Sequence, residues 1–221
     1  MKRQNRDPAL PNPPPGLVLA GLLLGALALA AAYSSTSWQP LHKPGGEPVP
    51  AVLQHTIATA WAAMFISMPA FCAFFFRNKS ITIHQWWLTF WSVGSAVFLV
   101  HFVQAVFIYF KHDWTRILHS DQVTMPVVDT FLTVWWLVDV VIALLGIPER
   151  NVVLIQRWTI HLLLLAVFLV GAIVEGHYPA SRVVGAFLGL PALAAISLGL
   201  SRIRLKKPLH IFPKAQVNHE P

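Results

Sequence analysis

Long apolar runs, each close to the length of a bilayer crossing, follow one another along this chain and are separated by short polar links. They cover residues 16 to 34, 51 to 76, 86 to 110, 126 to 146, 153 to 175 and 183 to 201. About 20 mostly apolar residues carry a helix across the hydrocarbon core. The runs lack the two-residue alternation of a barrel wall, and lipid supplies no partner for an unpaired backbone group. The pattern therefore predicts an all-α, polytopic transmembrane bundle of six spans. The inner links RNKSITIHQ and IPERN are short, which places consecutive helices antiparallel and adjacent. Residues 35 to 50 and 111 to 125 read as external loops, and Pro69 and Pro191 are expected to kink their helices. One membrane domain, 16–201, is then flanked by an N-terminal segment, 1–15, and a basic tail, 202–221.

Composition agrees with this reading. Of 221 residues, 56% are hydrophobic and 11% charged, with a mean hydropathy of +0.59, far from the balance of a soluble domain. The net charge of +7 would suggest a nucleic-acid partner in a soluble protein, but position explains it better. Of the 16 Lys and Arg, only Lys43, Lys111, Arg116 and Arg182 fall in segments assigned to the outside. This is the bias expected when both termini are cytoplasmic, and it argues for no nucleic-acid partner. With short loops, the bias points to a bacterial inner membrane. MKRQNRD and the following Leu/Ala run also share features with a secretory signal, but the run's length and the intervening PNPPP favour an uncleaved first span. If it were cleaved, five spans would remain in the same orientation. Cys72 is the only cysteine, so no internal disulfide or CxxC pair exists.

Within VHFVQAVFIYFKHD, residues 100 to 113, His101 and Gln104 interrupt an otherwise lipid-compatible run. Ionisable groups in a span usually face the bundle interior and mark function. Counting from the inner end of each span places His101 at about 24 Å, Asp129 at about 27 Å, Gln104 at about 28 Å, His55 at about 31 Å and Glu175 at about 33 Å. Four helices thus send polar groups to one layer in the outer half. Asp129, Thr133 and Trp136 share a helix face by i, i+4, i+7 spacing, as do His161, Phe168, Gly171 and Glu175. A carboxylate near an imidazole in low dielectric suits proton shuttling, so His101, Asp129 and Glu175 are the candidate catalytic groups. His55, Gln104, Thr133 and Trp136 are the candidate ligand contacts. The bland alternative is that these groups only join helices.

A second layer holds Asp139 and His161, each about 12 Å from the inner end. A structural pair of Asp139 with Arg157 or His161 is the expectation there, with Arg157 snorkelling to the inner interface. Trp38, Trp86, Trp87, Trp114 and Trp158 read as interface anchors, and Trp61, Trp91, Trp135 and Trp136 as deeper packing.

Three stretches resemble the emopamil-binding protein family, the EXPERA domain: VHFVQAVFIYFKHD, DTFLTVWW and VEGH, within residues 55 to 200. The resemblance implies five equivalent helices, a site for sterols or other hydrophobic amines, and roles for His101 and Asp129 with Trp136 beside a developing cation. It also implies sterol double-bond isomerase chemistry in some members. The chain departs from the isomerases at Ala105, where they carry an acid, and lacks their Asn in the last helix.

Three function classes follow. The first is a membrane pocket for a hydrophobic lipid or isoprenoid- or sterol-like ligand, with acid/base isomerase-type chemistry. The second is a b-type haem or quinone protein using His55 and His101, whose estimated depths differ by about 7 Å. The third is a non-enzymatic subunit or assembly factor with a membrane-protein partner, or a homo-oligomer. No HExxH or paired HxxxH motif points to a metal, and no Gly-rich loop to a nucleotide; no cofactor is expected on the first reading.

Overall fold

The computed structural model describes residues 12–38, 41–42, 46–120, 126–174 and 179–205. Its six long helices are α1 (Pro15–Trp38), α2 (Ala51–Phe74), α3 (Ile81–Val103), α5 (Pro126–Leu144), α6 (Asn151–Leu169) and α7 (Pro179–Leu205), with a short α4 (Trp114–Leu118) between α3 and α5. All six are long and apolar enough to cross a membrane. The chain is an all-α polytopic bundle, as the hydrophobic pattern predicts.

Two spans are longer than their α-helical parts. α3 continues as a π-helical turn, Gln104–Tyr109, and α6 as a second, Val170–Val174. At the inner end α3 begins at Ile81, five residues before the predicted start. That carries Trp87, expected at the interface, into the core, where it is fully buried. Trp86 stays exposed, as an anchor should. α7 runs past the predicted end at 201 to Leu205.

Helices α2, α3, α5, α6 and α7 form a ring in which α2 also meets α7, and α1 packs outside it against α2 and α3. Small residues set these approaches. A Cβ at Gly21 or Gly25 of α1 would lie 2.7 Å from Thr89 Cγ2 or 2.8 Å from Val93 Cγ1, so α1 rests directly on α3. Gly94 is tighter, because a Cβ there would stand 3.2 Å from the Ser67 backbone. Lipid gives helices no hydrophobic reason to associate, so close van der Waals contact at small residues holds them. Most core side chains belong to one cluster centred on Phe71, Phe74, Trp87, Trp91, Trp136, Leu164 and Phe168. Val127, Phe131, Val134, Val138 and Val141 of α5 remain exposed, which is the lipid-facing side of a span rather than a defect.

Gly94→Val is expected to wedge α2 from α3 and to cost about 1–3 kcal/mol as overpacking. Thermal unfolding in detergent would show a lowered midpoint, whereas Gly171→Val, with no atom within 4 Å of its added Cβ, should leave the midpoint near that of the parent.

Candidate functional site

Two centres of opposite character gather many of the polar residues buried inside the bundle. The inner centre is closed. Asp139 of α5 is 0% exposed and Arg157 of α6 is 2% exposed. Arg157 Nε donates to Asp139 Oδ1 at 3.2 Å, and Trp91 Nε1 of α3 donates to Asp139 Oδ2 at 2.8 Å. Arg157 Nη1 also donates to Glu149 in the α5–α6 link, and Arg77, just beyond α2, grips the same carboxylate with Nε at 3.2 Å and Nη2 at 3.1 Å. Arg77 Nη1 closes on the Phe74 carbonyl at 2.7 Å, and its guanidinium lies 4.0 Å from the Phe74 ring centre. Two cations and two anions thus balance, with Asp139, Arg157 and Arg77 buried and Glu149 partly exposed, and mutual pairing is what makes buried charges tolerable.

The predicted pairing of Asp139 with Arg157 is therefore present, and Arg157 is buried rather than snorkelling. His161 takes a different partner: its Nε2 accepts from Trp87 Nε1 at 2.9 Å, and its Nδ1 donates to the Arg157 carbonyl at 2.7 Å. Those two bonds fix the neutral Nδ1–H tautomer. The ring is sandwiched between Trp91 and Phe74, with centroids at 3.6 and 3.9 Å.

At this inner end, burial pushes the Arg77 guanidinium below its ordinary value, and Glu149 offsets part of that fall. Burial alone would raise the Glu149 carboxyl, but Arg77 and then Arg157 outweigh it and hold the group below the usual range.

The outer centre is open. A cavity of about 420 Å³ is enclosed by α2, the end of α3, α4 and the outer ends of α5, α6 and α7. Trp61, Phe98, Phe102, Phe110, Trp114 and Phe168 give it an aromatic wall, and His101, Asp129, Thr56 and Thr130 are among its few polar groups. Both π-helical turns border it, through Ala105, Val106 and Tyr109 on one side and Val170, Gly171 and Ala172 on the other. Such turns are uncommon and recur at functional sites, because the extra residue displaces the wall and interrupts helical bonding. The chain leaves the first of them through Lys111 and His112, both in the left-handed region at φ 55° and 63°, before Asp113 caps α4 by accepting from Arg116 N at 3.0 Å. Holding two non-glycine residues there stores strain, and beyond that turn Trp114 and Ile117 of α4 join the cavity lining.

The predicted site residues divide between this cavity and its surroundings. His101 and Asp129 line it together. His101 Nδ1 donates to the Thr56 carbonyl at 2.8 Å. Gln104 and His55 turn toward α1 instead: Gln104 Oε1 accepts from Tyr33, and the His55 ring packs on Tyr33 at 4.9 Å. Thr133 returns its hydroxyl to the Asp129 carbonyl at 2.7 Å. Trp136 lies beneath the cavity floor, against Phe98 at 5.6 Å and Trp91 at 4.8 Å. Glu175 lies outside the described residues. Phe168 and Gly171, placed on one stripe by spacing, do reach the cavity, while His161 on that stripe sits in the inner centre. Sequence reasoning missed Thr56, Tyr109 and Ile117 as cavity residues and read Trp114 only as an interface anchor; Thr56 shares the depth of His55, but a lone hydroxyl in a span gives little signal because it can bond its own helix. Among the described residues no group of three His, Cys, Asp or Glu is arranged to hold a metal ion.

Comparison with protein-family models, with curated proteins and with solved structures finds no match to this chain.

Two measurements probe the inner centre. Asp139→Asn removes the fully buried partner of Arg157 and leaves Glu149 alone to balance two guanidiniums, a change expected to cost about 3 kcal/mol and read as a fall in the thermal midpoint. Glu149 binds its proton less readily folded than unfolded. Its contribution is therefore complete above the ordinary carboxylate range near about 4.3 and is lost as the pH falls through the lower folded value. The midpoint should be flat near neutrality and drop in acid, and Glu149→Gln should flatten that acid limb at a lower overall midpoint.

Proposed function

We propose that this integral membrane protein, resident in a bacterial inner membrane, binds a hydrophobic lipid or isoprenoid- or sterol-like molecule in its outer-half cavity. One observation carries the reading: His101 of α3 and Asp129 of α5, both singled out in the sequence, line the same aromatic-walled cavity. A volume of about 420 Å³ falls in the range of small-molecule sites, which are mostly apolar with a few convergent polar groups. The closed ionic centre below supports a floor rather than a channel, and the short links and charge bias support the membrane assigned.

The pair also supports isomerase-type acid/base chemistry on such a ligand. Shifting a double bond adds a proton at one carbon and removes one from a neighbour, so no co-reactant is consumed. With Nδ1–H committed to Thr56, His101 Nε2 is the proton acceptor, and the Asp129 carboxyl is the second acid/base group. Ala105, which also lines the cavity, presents a methyl where the resembling isomerases carry an acid, so binding is the firmer half of the proposal.

Mass spectrometry of lipid extracted from the purified protein tests it. A hydrophobic molecule is expected at near one per chain. Gly171→Trp should empty the cavity, since a side chain there enters open space, with little change in thermal stability. Asp129→Asn and His101→Phe should each weaken retention by roughly thirtyfold, the equivalent of about 2 kcal/mol for a lost polar contact in low dielectric. Identical lipid content in all three variants would sink the proposal.

A further inference from the structure

The hydrogen-bond polarity around His101 constrains what the ligand brings to it. The Thr56 carbonyl can only accept, so the His101 Nδ1 contact at 2.8 Å means that this nitrogen carries the proton. In an uncharged ring, Nε2 then has a bare lone pair. The hydroxyls nearby have also spent their protons on helix carbonyls: Thr56 Oγ1 donates to Val52 at 2.9 Å, Thr59 Oγ1 to Thr56 at 2.9 Å and Thr130 Oγ1 to Pro126 at 2.8 Å. What Thr56 and Thr130 present to the cavity is oxygen lone pairs. Indole and phenol groups elsewhere on the wall can donate, but none of them hydrogen-bonds to His101.

We infer that the cavity selects an amphiphile whose polar head is a hydrogen-bond donor, a hydroxyl or an amine, seated on His101 Nε2, and that it discriminates against acceptor-only heads such as quinones, aldehydes, esters and ethers. The inference rests on the lipid-pocket reading above and adds the chemical class of the head. An acceptor-only head would set its lone pairs against those of Nε2 and leave both buried without a proton between them, which costs more than the bond gained by a matched head. The same argument separates the site from a quinone site, where the protein must donate to the ring carbonyls.

The test is native mass spectrometry of the full-length protein with four probes of one carbon skeleton: geranylgeraniol, its primary amine, its aldehyde and its methyl ether. The alcohol or the amine is expected to bind about tenfold more tightly than the aldehyde and the ether, as one hydrogen bond of ordinary net strength would give. Binding of the amine alone would identify an ammonium head; binding of both would show that a hydroxyl suffices. The preference should collapse in His101→Phe, which keeps a ring but no acceptor, and survive in part in His101→Gln, whose amide oxygen can accept. Equal binding of alcohol, aldehyde and ether overturns the donor rule while leaving the pocket standing, as does an undiminished preference in His101→Phe. Failure of all four probes to bind, or binding unchanged in Gly171→Trp, removes the pocket and this inference together.

Discussion

A single buried carboxylate organises this bundle. Asp139 sits at zero exposure with one oxygen held by Arg157 and the other by Trp91, so α3, α5 and α6 are joined at one point. An uncompensated charge in hydrocarbon is costly, and the helices can relieve it only in the register that brings those donors to it. Arg157 extends the lock to Glu149, and Glu149 to Arg77 at the end of α2. Nondirectional apolar packing between spans would tolerate many rotations; this network tolerates few.

Above the lock runs a column of rings. His161 lies flat against Trp91, Trp91 against Trp136 at 4.8 Å, and Trp136 beside Phe98 and Phe168, which form the cavity floor. Aromatic contact of this kind adds about 0.5–1.5 kcal/mol per pair beyond area, and it seals the inner half. The outer half is built in the opposite way. There both π-helical turns and a strained turn at Lys111 and His112 loosen the packing, and the space left over is the cavity. Stability is concentrated at the inner end and irregular backbone at the outer end, the division expected when a rigid base positions a ligand site.

A ring of five helices, with α1 packed outside it against α2 and α3, brings His101 and Asp129 to one cavity. Ala105 lines the same cavity with a methyl group, so an imidazole, a carboxyl and the Tyr109 phenol are the titratable groups that its wall presents among the described residues.

Number, length and order of the spans were legible in the residues, because lipid demands about 20 apolar residues per crossing and 1.5 Å per residue converts position into depth. For that reason the layering of His101 with Asp129 was readable as well, and so was a pairing of Asp139 with Arg157 or His161. Which way each side chain turns was not. His55 and Thr56 are neighbours, yet one faces Tyr33 of α1 and the other the cavity; Gln104 and Ala105 divide in the same way. In a soluble helix the apolar stripe marks the inner face, whereas here both faces are apolar, one meeting lipid and the other protein. The chain alone therefore determined the spans and the height of each polar group, and only the packing of the helices around the Asp139 lock decided which of those groups meet.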